Sequence, residues 1–126
     1  LHRLKSEVGE PLSVVADQVG CPTSTLGLAH VCWAVIQQQA VGIHHWSDAG
    51  VASWYDFAVA IGELAAARGL IPKAAKVQPI TAAEYPTPAQ RPAYSLLACA
   101  DTRRQLQRQP QHWRAALEEV IRHVDA

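Results

Sequence analysis

At 126 residues the chain has the length of one domain, enough to bury about two-thirds of its unfolded surface. Apolar residues make up 49% and charged residues 17%, a globular rather than a disordered composition. Eleven basic residues balance eleven acidic ones, which leaves no basic footprint for nucleic acid and no polybasic patch for anionic lipid.

Cys21, Cys32 and Cys99 form an odd set without a CxxC pair, so neither a disulfide framework nor a zinc site is indicated. A reducing cytoplasm is the expected setting. No apolar run reaches the length of a membrane span, and the first residues do not read as a signal peptide. Met is absent, and Leu1-His2-Arg3-Leu4-Lys5 reads as the end of an amphipathic helix. A fragment of a longer chain is therefore expected.

In chain order, residues 1–10 read as a helix end punctuated by Gly9 and Pro11. A strand is expected over Leu12–Ala16, where Val14 and Val15 suit a pleated, buried surface. Asp17 and Gln18 then place a carboxylate and an amide at the strand's carboxyl end, where α/β proteins commonly bind ligands. Gly20 and Pro22 turn the chain, and Thr23 or Ser24 can cap the next helix. Locally, this turn is either a solvated connection or part of a site.

The helix is expected over Ser24–Gln39, with Leu28, Val31, Cys32, Val35 and Ile36 toward the core. A second strand is expected over Val41–Ser47. Its alternation sends His44 and His45 to opposite faces, which disfavours a shared metal. Asp48-Ala49-Gly50 reads as a turn. Ser53-Trp54-Tyr55-Asp56 is a capping-box pattern, with Asp56 in the place usually taken by Glu or Gln. The helix it opens carries Trp54, Phe57, Ala58, Ile61, Leu64 and Ala65 on one face. Trp54 and Phe57 are read as core rather than ligand-stacking residues. Gly69 closes that helix in a left-handed conformation.

Lys76–Ile80 is a short strand, and Pro79 assigns it to an edge. Thr81–Glu84 reads as a helical turn. Three prolines then stiffen Tyr85–Pro92, leaving Arg91 two roles: an anion contact through its guanidinium, or an ion pair on a surface strap. Asp101 and Thr102 are expected to cap a short helix ending at Leu106. A last helix follows Pro110, with Trp113, Leu117, Val120, Ile121 and Val124 as its buried stripe. The order is β-α-β-α-β-α-α, an α/β pattern.

No complete catalytic set is visible. There is no glycine-rich dinucleotide fingerprint and no P-loop. Val59, Ala89 and Ala98 stand four residues after the three tyrosines, so there is no Tyr-x-x-x-Lys pair. GxSxG and HExxH are absent.

Val15-Ala16-Asp17-Gln18-Val19-Gly20-Cys21-Pro22-Thr23 resembles the V-x-D-Q-x-G-x-P-T stretch of the dTDP-4-dehydrorhamnose reductases, which are extended short-chain dehydrogenase/reductases. Three further stretches agree in order. Gly42-Ile43-His44-His45 with Ser53-Trp54-Tyr55-Asp56-Phe57-Ala58 is one. Tyr85-Pro86-Thr87-Pro88-Ala89-Gln90-Arg91-Pro92 is the second. Leu97 through Arg103, with Trp113 and Leu117, is the third. The resemblance covers essentially the whole chain. One departure is Ala98, where many members have Asp or Asn.

The resemblance implies the C-terminal substrate-binding lobe of such a reductase, without its N-terminal Rossmann lobe. Residues 1–126 would be that single lobe. The family reduces the 4-keto group of dTDP-4-dehydro-L-rhamnose with NADPH, giving dTDP-L-rhamnose. It carries its cofactor glycines and Tyr/Lys pair in the other lobe. No catalytic, cofactor-binding or metal residue is therefore carried over, and the chain is expected to bind no cofactor and to be inactive alone. Gln18 and Arg91 are the candidates for substrate contact. The partner is expected to be a dTDP-sugar rather than nucleic acid or membrane, with homodimers through exposed strand edges. The alternative is a non-catalytic dimerisation or partner-binding module derived from the family.

Overall fold

The computed structural model describes Lys5, Glu7 and residues 9–124. The helix end expected over residues 1–10 lies largely outside these; Lys5 and Glu7 are helical, and Gly9 turns at φ +71°. Among the described residues, no helix is long and apolar enough to cross a membrane.

The elements are β1 (Leu12–Val15), β2 (Val19–Gly20), α1 (Thr25–Gln37), β3 (Ala52–Ser53) and α2 (Trp54–Ala67). After them come β4 (Val77–Ile80), a 3-10 turn (Ala82–Glu84), α3 (Ala100–Leu106) and α4 (Trp113–Arg122). The mixed α/β order matches the expected one at this level. β1 and β4 form a parallel pair in the register Leu12↔Val77 to Val15↔Ile80. Pro79 stands opposite Val14 on a strand whose only partner among the described residues is β1, so its missing N–H interrupts no further ladder. β2 and β3 pair antiparallel, with Val19 opposite Ser53.

α2 is the central helix, packed on β1, β3, β4 and α4. Its capping box is present. The Asp56 amide donates to Ser53 Oγ at 3.1 Å, and the Ser53 amide donates to the Asp56 carboxylate at 2.8 Å. Gly69 follows in the left-handed region at φ +72°. The core lies between α2 and α4, where Ala52, Ala60, Trp113, Leu117 and Ile121 are buried. Phe57 meets Trp113 edge-on, with centroids 6.1 Å apart.

Several expectations change. Val41–Ser47 bends at Gly42 and has no strand partner among the described residues, and Val41 and Ile43 are exposed. This segment runs against α3 instead, where the His45 amide donates to Thr102 Oγ1 at 3.1 Å. Thr102 is consequently a buried acceptor inside α3 rather than a cap; Cys99 occupies the N-cap and makes no side-chain capping bond. In α4, Ala116 takes the buried position expected for Val120, and both Val120 and Val124 are exposed.

In α1 only Val31 and Ala34 are buried, while Leu28, Cys32 and Ile36 are exposed. That helix is apolar almost all the way round and holds no Asp, Glu, Lys or Arg, so spacing alone could not single out its inner face.

Candidate functional site

The site forms where β1 ends. The Ala16 amide still donates to the Ile80 carbonyl at 2.9 Å, closing the parallel ladder. The next residue turns outward, and the Asp17 carboxylate accepts from the Ala82 amide at 2.8 and 3.0 Å. Asp17 thereby caps the 3-10 turn after β4. There Glu84 accepts from the amide and hydroxyl of Thr81 at 2.7 and 2.8 Å. These bonds, the backbone one first, hold the Glu84 carboxyl below its usual range.

β2 carries the chain on beside the proline-rich segment. The Val19 amide donates to the Ala93 carbonyl at 2.8 Å, and the Ser95 amide donates back to the Val19 carbonyl at 2.9 Å. Ser95 Oγ also donates to the Val19 carbonyl, at 3.1 Å. A Cβ on Gly20 would stand 2.9 Å from Ser95 Oγ, so a side chain there would press on this junction. The pairing brings together the two candidates from distant parts of the sequence. Gln18 and Arg91 line one cleft of about 360 Å³, along with Cys21, Ser53, Trp54 and Ser95.

Arg91 carries the only formal charge among the cleft's lining residues, and it has no ion-pair partner among the described residues. An unopposed guanidinium in a cleft without carboxylates suits an anionic group. A larger apolar groove of about 1320 Å³ opens alongside, walled by β1, α2 and the prolines of residues 86–88. Gln18, Trp54, Phe57 and Arg91 line both hollows. Trp54 is a correction to the expected core, being 52% exposed, whereas Phe57 is partly buried against the core as expected.

The sequence marks Asp48 only as a turn residue. It is 4% exposed and holds the turn that lines the cleft. Its carboxylate accepts from the Ser24 amide at 3.0 Å, and its own amide donates to Thr23 Oγ1 at 3.3 Å. Its carbonyl accepts from Cys21 Sγ at 3.0 Å. One signal was available: no Asp, Glu, Lys or Arg occurs from Gln18 to Ser47, so Asp48 ends a long neutral run just before Gly50. Burial, followed by the nearby Asp48 charge, pushes the Cys21 thiol up, against smaller opposing effects of Ser47 and Arg103. Cys21 is thus a protonated donor rather than a nucleophile.

The family model for the RmlD substrate binding domain matches residues 1–126. The chain belongs to this family. It is similar to a dTDP-4-dehydrorhamnose reductase of Aggregatibacter actinomycetemcomitans, 37% identical over 120 residues, which covers 90% of this chain and 41% of that one. The structure of a dTDP-4-dehydrorhamnose reductase from Clostridium acetobutylicum superposes with a TM-score of 0.80 at 37% identity, covering 97% of this chain and 42% of that one. The Bacillus anthracis dTDP-4-dehydrorhamnose reductase, solved in complex with NADP, gives 0.79 at 27% identity, covering 98% and 43%. The chain spans about two-fifths of the length of these relatives.

Among the described residues, the turn after β1 of this RmlD-type domain does not fit the pyrophosphate of a dinucleotide such as NADP. The turn after β1 offers no glycine before Gly20 and presents the Asp17 carboxylate, which would repel a pyrophosphate. Among the described residues, no group of three or more His, Cys, Asp or Glu gathers around a common point that could hold a metal ion.

Proposed function

We propose that this chain is the substrate lobe of an NADPH-dependent reductase that converts dTDP-4-dehydro-L-rhamnose to dTDP-L-rhamnose in the cytoplasm. Gln18 and Arg91 contact the nucleotide sugar, and the isolated lobe does not turn over. The observation that carries this reading is the cleft shared by Gln18 and an unpaired Arg91, in a chain of the RmlD substrate-binding family. The guanidinium takes the diphosphate and the Gln18 amide takes a sugar or base oxygen. Hydride donation is left to a cofactor that this chain does not cradle.

Titration of the chain with dTDP-rhamnose and, separately, with NADPH tests this. Weak dTDP-rhamnose binding with no NADPH fluorescence change is expected. Tight NADPH binding, or turnover of the keto-sugar by this chain alone, would refute it.

A second reading is a non-catalytic module that dimerises or takes a protein partner. It is favoured by the open apolar groove beside β1, because exposed apolar walls next to an unpaired strand edge tend to acquire a neighbour. A sedimentation coefficient that stays monomeric across a hundredfold concentration range would count against self-association.

A further inference from the structure

We propose that Trp54 is the platform on which the pyrimidine base of a nucleoside diphosphate stacks while Arg91 holds the diphosphate; this rests on the nucleotide-sugar reading above. The helix that carries Trp54 has two aromatic residues on one face, and they part company. Phe57 turns into the core against Trp113. Trp54 stays half out in solvent, at the first position of α2, and lines the cleft and the groove together with Arg91.

An indole left this exposed contributes little to the core. The Ser53–Asp56 capping bonds of 2.8–3.1 Å hold the backbone on which it stands. An aromatic plane that lines the same cleft as a lone cation matches a ligand with a flat ring and a polyanionic tail. Base-on-aromatic stacking needs no particular hydrogen-bond pattern, only a π-face and partial exclusion of water. The cleft also lacks a carboxylate that would repel the phosphates.

The test compares thymidine diphosphate with inorganic pyrophosphate by calorimetry on the chain as it stands, with Trp54→Leu, Trp54→Tyr and Arg91→Ala variants checked for unchanged melting. Thymidine diphosphate should bind more tightly than pyrophosphate. Trp54→Leu should weaken the diphosphate nucleoside about tenfold and leave pyrophosphate unchanged, while Trp54→Tyr stays within about threefold of the original. Arg91→Ala should weaken both ligands.

An unchanged preference for thymidine diphosphate in Trp54→Leu overturns the proposal and leaves the cleft reading intact. So does a loss seen with dTDP-glucose but not with thymidine diphosphate, which would place the ring against the sugar. If neither anion binds the unmodified chain, the nucleotide-sugar reading of the cleft falls, and this assignment falls with it.

Discussion

Both carboxylate oxygens of Asp17 accept from the single amide of Ala82, at 2.8 and 3.0 Å, across the carboxyl ends of the parallel strands. The acid of the D-Q-x-G motif is thus committed to the fold, and the neighbouring Gln18 side chain is the one that lines the cleft. Asp17→Ala should cost about 1 kcal/mol, the usual cost of losing a capping side chain. That corresponds to roughly 3–6 °C in melting temperature for a domain this size. An unchanged melt would show that the bond contributes nothing measurable.

Two glycines of similar backbone should respond differently to alanine. Gly42 and Gly50 have φ of +100° and +97°. A Cβ at Gly42 meets nothing within 4 Å, whereas one at Gly50 would stand 2.5 Å from His112 Nε2 and 2.8 Å from Trp113 Cδ1. Gly42→Ala should cost about 1 kcal/mol from backbone strain alone. Gly50→Ala should cost about 2–4 kcal/mol, because the displaced Trp113 belongs to the core. Equal losses in urea unfolding would contradict the packing at Gly50.

Cysteine alkylation should follow exposure and ionisation. Cys32 is exposed, Cys21 half-buried and Cys99 buried. The Cys21 pKa lies above the usual thiol value, so near neutral pH less of it is thiolate, and raising the pH speeds its reaction. Timed iodoacetamide labelling read by mass spectrometry should modify Cys32 first and Cys21 much later. Cys99 should react only on unfolding. Early labelling of Cys21 would contradict its hydrogen bond to the Asp48 carbonyl.

Arg91 and Gln18 should differ in how they fail. Arg91→Ala is expected to weaken dTDP-sugar binding roughly ten- to hundredfold, with Arg91→Lys recovering part of that through charge alone. Gln18→Ala is expected to cost about tenfold or less, the scale of one neutral hydrogen bond. Neither change should move the melting temperature, since neither side chain has a hydrogen-bond or ion-pair partner among the described residues. A shift of several degrees would instead assign these residues to the fold.

The elements that sequence alone revealed were those written in local chemistry. The Ser53–Asp56 capping box, the left-handed Gly69 and the β-branched Val14-Val15 run each name their own conformation, and α2 and β1 follow. Val41–Ser47 has the alternation of a strand but no strand beside it to pair with, and pairing is a property of the neighbour. Val120 lies within the apolar stripe of α4 yet is exposed, while Ala116 is buried, and which of them a neighbouring element covers is not written in the spacing. The neutral run before Asp48 marks that residue out, but not its partner, the Ser24 amide, which lies 24 residues away. The meeting of Gln18 with Arg91 depends on Val19 pairing with residues 93–95, which no local motif encodes.

Gln18, Trp54, Phe57 and Arg91 form a common wall between the cleft that holds Cys21 and Ser95 and the larger groove. A wall with two faces ties their occupancies together. If an apolar surface seated in the groove shifts those four side chains, it changes the affinity of the cleft for its ligand by some factor. The ligand must then change the affinity of the groove by that same factor. The help or hindrance that each occupant gives the other would be one quantity, measurable from either side.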